Sequence, residues 1–595
     1  MLQNLVKFAL TQRLVTLAIT LALIVAGAVS FSRLPIDAFP DISTTQVKVI
    51  MKAPGMTPEE VEQRVIAPIE MELFPIPRQT ILRSMAKYAI ADITIDFDES
   101  ADIYWARQQV TERLNTAMDA MPQGVSGGLA PISTPLSDVF MFTIDGGGLS
   151  LEERRTLLDW TIRPALRTLP GVADVNSLGG RVRTFDVIPD MVALADAGLT
   201  PRDLRDAIEA SNRNDGSGRI NVGEEALVVR AIGAIDTLGS LAAITVSEMD
   251  GKVIRIADVA DVRIGSLTRY GAVTKDGEGE AVQGLVLSLR GADANAIIDD
   301  VQARIDELGP SLPEGVELVP FYDRSKLIEK AIDTVRKALL EAIVLVLILL
   351  LAFLGNLRAA LVVSVTLPLA ALFTFLMMKL FGMSANLMSL GGLAIAIGLI
   401  VDSAVVIVEN TVEQLAHPAK NKSIPRIHKV YRSCCEVALP VASGILIICL
   451  VFLPLLALEG LEGKLFRPVA LTIIFALAGS LVLSLTIIPV LASYVLPETH
   501  GKDPLLMRLI TPAYSRALKA CLALPIIVYA AAAIGIVAAV LAYGQVGKTF
   551  MPTMDEGSVI LQTAKLPSVN LARSTEGDLL VQKALLEDIP EIQNV

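Results

Sequence analysis

Asp402 is a carboxylate in the middle of an otherwise apolar run, residues 389–410, reading SLGGLAIAIGLIVDSAVVIVEN. The run is long enough to cross a bilayer, and a charge at that depth costs at least ~2.5–3.5 kcal/mol on insertion scales. Such charges serve proton relays, ion paths or counter-ion pairs. A packing role, with Asp402 hydrogen-bonded to a neighbouring helix, would be filled as well by Ser or Asn without the charge. Glu409 follows seven residues on, about 10 Å along a helix and on nearly the same face. Ser403 and Ala404, with Gly391, Gly392 and Gly398, are small enough for a partner helix to approach closely. Asp402 is therefore the candidate proton-carrying group, with Glu409 and Ser403 as its support.

The remaining reactive residue types offer less. Cys434, Cys435, Cys449 and Cys521 all lie in or beside hydrophobic runs, so no disulfide framework is implied in the long polar segment. Cys434 and Cys435 read as small buried hydrophobes rather than as a redox pair. His417, His428 and His500 fall in polar loops between the later apolar runs. Asp92, Asp96, Asp98, Glu99 and Asp102 form an acidic cluster that reads as a solvated strand edge and helix start. No nucleophile–base set or metal-ligand spacing appears in the polar segment, which argues against an enzyme.

The elements that hold Asp402 are membrane elements. The 595 residues are 53% hydrophobic, with a mean hydropathy of +0.57, too apolar for a soluble protein. The net charge of −12 argues against a nucleic-acid partner. Seven spans are expected, at residues 14–31, 338–354, 359–381, 387–408, 437–457, 469–496 and 522–543. The first is too long for a cleaved signal and continues straight into polar sequence, so it is read as retained. Basic loops at 415–432 and 502–519 share a side with Lys7 and Arg13 if the large polar segment lies outside.

That polar segment, roughly residues 33–336, mixes alternating stretches with capped amphipathic ones. Residues 46–51 (QVKVIM) and 91–97 (ADITIDF) read as strands. Thr57-Pro58-Glu59-Glu60 opens a helix, and a second helix runs over 102–114. A similar set spans 140–144, 150–169 and 172–178, which makes the segment α+β. Residues 211–219 (SNRNDGSGR), with Asn212, Asn214, Asp215, Gly216 and Gly218, read as a polar hairpin or loop tip. The residues leave open whether it is a solvated turn or an arm reaching a neighbouring subunit.

Beyond the last span, Phe550-Met551-Pro552-Thr553-Met554-Asp555 precedes a strand-like stretch, 559–564, and then a charged helix. The series repeats Phe39-Pro40-Asp41, the strand at 47–51 and the helix that follows. A repeat about five hundred residues apart marks a transporter built from two halves. The sequence accordingly reads as one half plus the start of another, a fragment or truncated product.

Residues 34–41 (LPIDAFPD), 57–68, 101–108, 393–410, 458–466 (LEGLEGKLF) and 483–491 (LSLTIIPVL) together resemble the resistance–nodulation–division (RND) superfamily of efflux pumps, in its heavy-metal branch. The resemblance implies an α-helical membrane bundle with a large α+β periplasmic domain of ferredoxin-like porter subdomains. Its parts would be a cytoplasmic start and first helix at 1–33, porter subdomains at 34–135 and at 136–180 with 275–336, and a docking subdomain at 181–274. Six further helices would occupy 337–548, and a second-half porter would begin at 549–595. The resemblance implies a subunit of the bacterial inner membrane, a homotrimer that joins a periplasmic adaptor and an outer-membrane channel. It would hold no cofactor, and would export a metal cation against the proton motive force.

Within the resemblance, Asp402 matches the relay aspartate, and 211–219 matches the arm that enters a neighbouring subunit. A carboxyl group in low dielectric favours its protonated form and a nearby cation favours the ionised one, so alternation between the two couples proton flow to movement. Ala396 stands where zinc- and cobalt-type members carry a second aspartate. Met388 fits a methionine of copper- and silver-type members, while Ile400 and Leu477 occupy the other methionine places. Ser403 stands where pumps for organic compounds carry a second adjacent aspartate, which favours the metal branch over that alternative. A half-pump without transport activity of its own is the other alternative.

Overall fold

The structure, a computed structural model, describes residues 2–37, 40–134, 136–249, 252–416, 425–497, 505–547, 558–566 and 568–595. Lys420, Lys422 and Lys502 of the basic loops, His417 and His500, and the motif at 550–555 lie outside the described residues. The chain divides into two compact units: residues 1–137 with 289–298 and 324–561, and residues 138–288 with 299–323 and 562–595.

The first unit holds the membrane helices. Among the described residues, six helices are long and apolar enough to span a bilayer: Arg13–Ser32, Leu357–Leu380, Leu387–Leu415, Arg426–Leu456, Gly460–Val495 and Pro525–Tyr543. The count is six, not the expected seven. Residues 338–354 belong to the helix Arg324–Leu354, whose apolar part, Leu340–Phe353, is too short to qualify. Its early turns carry Lys326, Glu329, Lys330, Asp333, Arg336 and Lys337, which shorten the apolar stretch. The basic stretch at 502–519 also differs from expectation. From Leu505 onward it is helix, Leu505–Ala523, continuing past the loop anticipated there.

The helix Leu387–Ala416 packs along Gly460–Val495. Leu393, Ile397, Ile400, Ala404 and Ile407 are buried with Ile473, Ala476, Leu477 and Ile488. Glycine sets the closest approach: a Cβ on Gly392 would stand 2.8 Å from the Val469 carbonyl oxygen. Pro440 and Pro454 sit inside Arg426–Leu456, and Pro468 and Pro489 inside Gly460–Val495. Membrane helices tolerate them because neighbouring groups re-satisfy the freed carbonyls.

The same unit carries a four-stranded antiparallel sheet of β1 (Thr45–Lys52), β2 (Gln79–Lys87), β3 (Ile90–Phe97) and β4 (Ser126–Leu129), in the order β2-β3-β1-β4. Alternation drives it: Val47, Val49 and Met51 are fully buried and lie opposite Ile95, Ile93 and Ala91. The helical segment 58–73 starts at a reciprocal cap between Thr57 and Glu60, and Ile103–Met118 starts at Asp102, whose carboxylate accepts from the amides of Tyr104 and Trp105. Val61, Val65, Ile69, Ala106, Val110 and Leu114 close the core beneath the sheet. β2 escapes the alternation rule because it is an edge strand, with Ile81 and Met85 about half exposed.

Cationic side chains tie the residues that lead into β1 to the helices and to the turn at Arg290. Arg324, 4% exposed, donates to Asp37 at 2.7 Å and to the Leu136 carbonyl. Arg290 donates to Asp41 at 2.5 Å, and Lys464 donates to the Ser43 carbonyl at 2.7 Å. Burial pushes the Asp41 carboxyl up, but the hydrogen bond and charge of Arg290, with the amide of Ser43, outweigh it. The carboxyl ends below the usual carboxylate range.

The second unit is built on the strands Asp138–Gly146, Gly279–Ser288, Val316–Asp323, Val172–Gly179 and Val273–Lys275. Residues 151–167 form the covering helical segment, capped by Ser150 and Glu153, with Leu158, Ile162 and Leu166 buried. Residues 183–266 add two-stranded sheets around Leu194, Leu204, Leu241, Ile256 and Val259. The helix Leu571–Asp588 joins this unit through Gln582, which accepts from the Gly277 amide at 2.9 Å. The stretch 558–566 is not the strand expected at 559–564. Val559 and Ile560 are over 90% exposed, and a strand needs a ladder partner that they lack among the described residues.

Candidate functional site

The start of the site is fixed by two short side chains. Asn386 Oδ1 accepts from the Ser389 amide, and Ser389 Oγ accepts from the Asn386 amide, both at 2.9 Å. This reciprocal cap satisfies early helix amides and sets where Leu387–Ala416 begins. Met388 sits in that first turn, half-buried.

From there the helix shows its faces clearly. Its other described side chains are buried or half-buried, whereas Ile395, Gly398, Asp402, Val406, Glu409 and Glu413 are exposed. Their spacing of three or four residues makes one continuous stripe. Asp402 lies at its middle and Glu409 two turns further on. Among the described residues neither side chain makes a hydrogen bond or ion pair. Ser403 lies off the stripe and is 5% exposed, so it faces the bundle interior rather than Asp402's open side.

The opposite faces are pinned. Ser480 Oγ donates to the Ile400 carbonyl at 2.9 Å. Further along, Asn410 Nδ2 donates to the Ser433 carbonyl at 2.8 Å, and the hydroxyls of Thr411 and Ser433 pair at 2.9 Å. Gln414 donates to Glu436 at 3.2 Å. Helix rotation is thus determined by contacts on the buried side, and Asp402 is held on the side left open.

The polar stretch 211–219 is placed differently from a tip. Asp215–Val222 is a strand paired with Glu225–Ala231, so the turn falls at Gly223 and Glu224. Asn214 Oδ1 accepts from the amides of Gly233 and Ala234, and Asn212 Oδ1 accepts from that of Ile235, at 3.0–3.1 Å. The two asparagines close the base of the hairpin. Asp215, Gly216 and Gly218 belong to its outgoing strand, and Gly218 takes a φ of +103°, where the ladder shifts register.

Among the described residues, no three His, Cys, Asp or Glu side chains come together as a metal cluster. The reciprocal Asn386–Ser389 cap and the Ser480, Asn410 and Thr411 bonds escape sequence reading. Asn-x-x-Ser before an apolar run is a signal for the first; the others depend on which helices become neighbours.

The sequence profile of the AcrB/AcrD/AcrF family matches residues 5–595. The chain is 38% identical over 610 residues to the cobalt-zinc-cadmium resistance protein CzcA of Cupriavidus metallidurans, covering all of this chain and 57% of that protein. It is 33% identical over 611 residues to the cation efflux system protein CusA of Escherichia coli, covering 58% of it. A crystal structure of a heavy metal efflux pump superposes with a TM-score of 0.87 at 31% identity, over 99% of this chain and 57% of that one. The chain thus spans somewhat more than half the length of the relatives it matches. A profile match from end to end, on a bundle with these spans and sheets, means that the chain belongs to the AcrB/AcrD/AcrF family of RND permeases, which are inner-membrane transporters.

Proposed function

We propose that this chain is the N-terminal part of a proton-driven permease that exports heavy-metal cations. Its carrying observation is the open stripe of Leu387–Ala416, with Asp402 at the centre of a helix buried elsewhere. A carboxylate facing lipid would be costly, so the stripe calls for a second set of helices to cover it. A cation on such a covering helix would favour the ionised carboxylate, and its withdrawal the protonated one. Alternation between the two states would link proton entry to outer-domain movement, with Glu409 extending the polar face. Met388 would add a thioether at the far end of the helix for a soft metal substrate.

On this reading, 34–135 and 136–180 with 275–336 are porter subdomains. The β-α-β-β-α-β order of the first supports a ferredoxin-like fold. Residues 181–274 form the docking subdomain, whose hairpin at 215–231 reaches a neighbour in a homotrimer. Residues 1–33 hold the first membrane crossing, and 549–595 begin a second porter half. A periplasmic adaptor and an outer-membrane channel would complete the export path. The test is survival of a pump-deficient host expressing the whole transporter that contains this chain, on zinc, cobalt, copper and silver. Resistance to at least one metal, lost in Asp402→Asn, is expected; resistance to none, or undiminished resistance in the variant, overturns the proposal.

A further inference from the structure

The start of the Asp402 helix is tied to the exit of the first span by backbone bonds. Ala385, one residue before the Asn386 cap, donates its amide to the Pro35 carbonyl at 3.0 Å. Its own carbonyl accepts from the Asp37 amide, also at 3.0 Å, so Ile36 and Ala385 form a parallel bridge. Leu34, Met378, Ala385, Leu390 and Phe475 are buried together around it, with Ile36 packed against them. Asp37 carries the connection further. Its carboxylate accepts from Arg324 at 2.7 Å, and that guanidinium, 4% exposed, also holds the Leu136 carbonyl. Arg324 opens the helix Arg324–Leu354, and Leu136 directly follows the first porter stretch, 34–135. Parting a buried cation from its counter-charge is costly, so the pair moves as one piece.

We infer that Asp37 is a positioning residue for proton coupling, passing displacement of the Asp402 helix through the Ala385 bridge to Arg324 and the outer domain. The inference rests on the relay reading of Asp402 and names a link which that reading leaves unassigned. Asp402 lies about 22 Å along the helix from Leu387, too far to act on Asp37 directly. Rigid helices and hydrogen-bonded pairs carry displacement over such distances. Two consequences follow from the bonds. Ile36 and Ala385 keep their mutual position throughout the cycle, and loss of the Asp37 charge frees the helix from its load without touching Asp402.

Two measurements on the whole transporter containing this chain, reconstituted in vesicles, test it. In the first, Ile36→Cys and Ala385→Cys are introduced into a background otherwise free of cysteine, and the pair is oxidised to a disulfide. Metal transport should run as fast with the disulfide closed as with it reduced. Transport that stops on closure and returns with reductant overturns the inference, because the two segments must then slide. A pair that does not close contradicts the bridge on which the inference stands. In the second, protons moved per metal ion are counted. Asp37→Asn should raise that ratio by at least about fivefold, as Asp402 cycles without driving the outer domain. Asp37→Glu should keep the ratio near that of the unaltered protein. A merely structural role leaves the ratio unchanged in Asp37→Asn, whether or not both fluxes fall, and that result overturns the inference. Failure of the relay reading shows elsewhere, as metal-driven proton flux that persists in Asp402→Asn. The disulfide experiment keeps Asp37 intact and decides alone if Asp37→Asn does not assemble.

Discussion

Ser480 Oγ donates to the Ile400 carbonyl at 2.9 Å, two residues before Asp402 and on the opposite side of the helix. Two residues turn a helix by about 200°, so the bond that anchors Ile400 inward leaves Asp402 outward. The hydroxyl is surplus to the helix's own ladder, and its loss leaves no buried donor without a partner. Ser480→Ala should therefore cost only about 0.6 kcal/mol, typical of polar contacts between membrane helices. A thermal-shift measurement on solubilised protein should find a lowering of a few degrees at most.

Glycine positions on the same helix should respond in opposite ways. A Cβ at Gly392 would meet the Val469 carbonyl oxygen at 2.8 Å, whereas one at Gly398 meets nothing within 4 Å. Gly392→Ala must push two helices apart, at a cost of about 1–3 kcal/mol. Gly398→Ala should be neutral or stabilising by up to about 1 kcal/mol, because alanine favours the helix. Melting temperatures of the two variants, side by side, check the contrast.

The buried guanidinium of Arg324 divides its donors between Asp37 and the Leu136 carbonyl. Lysine reaches one acceptor at a time, so Arg324→Lys should lose about 1–2 kcal/mol. Arg324→Ala should lose about 2–4 kcal/mol, since it removes the charge paired with the Asp37 carboxylate and the donor to the Leu136 carbonyl together. Proteolysis of the segment around Asp37 should accelerate in the same order.

Acid should weaken the Asp41–Arg290 pair. The Asp41 carboxyl is held below its ordinary range in the fold, so its contribution is complete above the unfolded value, about pH 4. It is lost as pH falls through the folded value. The difference in melting temperature between the parent and Arg290→Gln should be constant from neutral pH to about pH 4 and then shrink in stronger acid. A difference that grows on acidification would contradict the pairing.

Much of this was legible in the sequence. Residues 46–51 and 91–97 alternate cleanly and pair in the sheet, and Thr57, Asp102 and Ser150 cap helices where their types indicate. Asp402 stood out because a lone charge in an apolar run needs no tertiary knowledge to notice. Its orientation did need that knowledge, because whether a helix face is covered depends on neighbours distant in sequence. Ser403 illustrates the gap: adjacent to Asp402 in the chain, it is a quarter-turn away and buried. The stretch from Leu505 was read as a loop because of its cations, although Arg508, Arg516 and Lys519 are spaced as on one helix face. The hairpin tip was displaced because Asn and Gly signal a turn, and here two asparagines close the hairpin's base instead.

The most direct test of the relay is proton movement itself. The whole transporter containing this chain is reconstituted in vesicles with a pH-sensitive dye inside, and metal is added to start exchange. Unaltered protein should move protons with metal transport, Asp402→Glu should keep part of that flux, and Asp402→Asn should assemble but carry none. Metal-driven proton flux in Asp402→Asn equal to that of the unaltered protein would contradict the assignment.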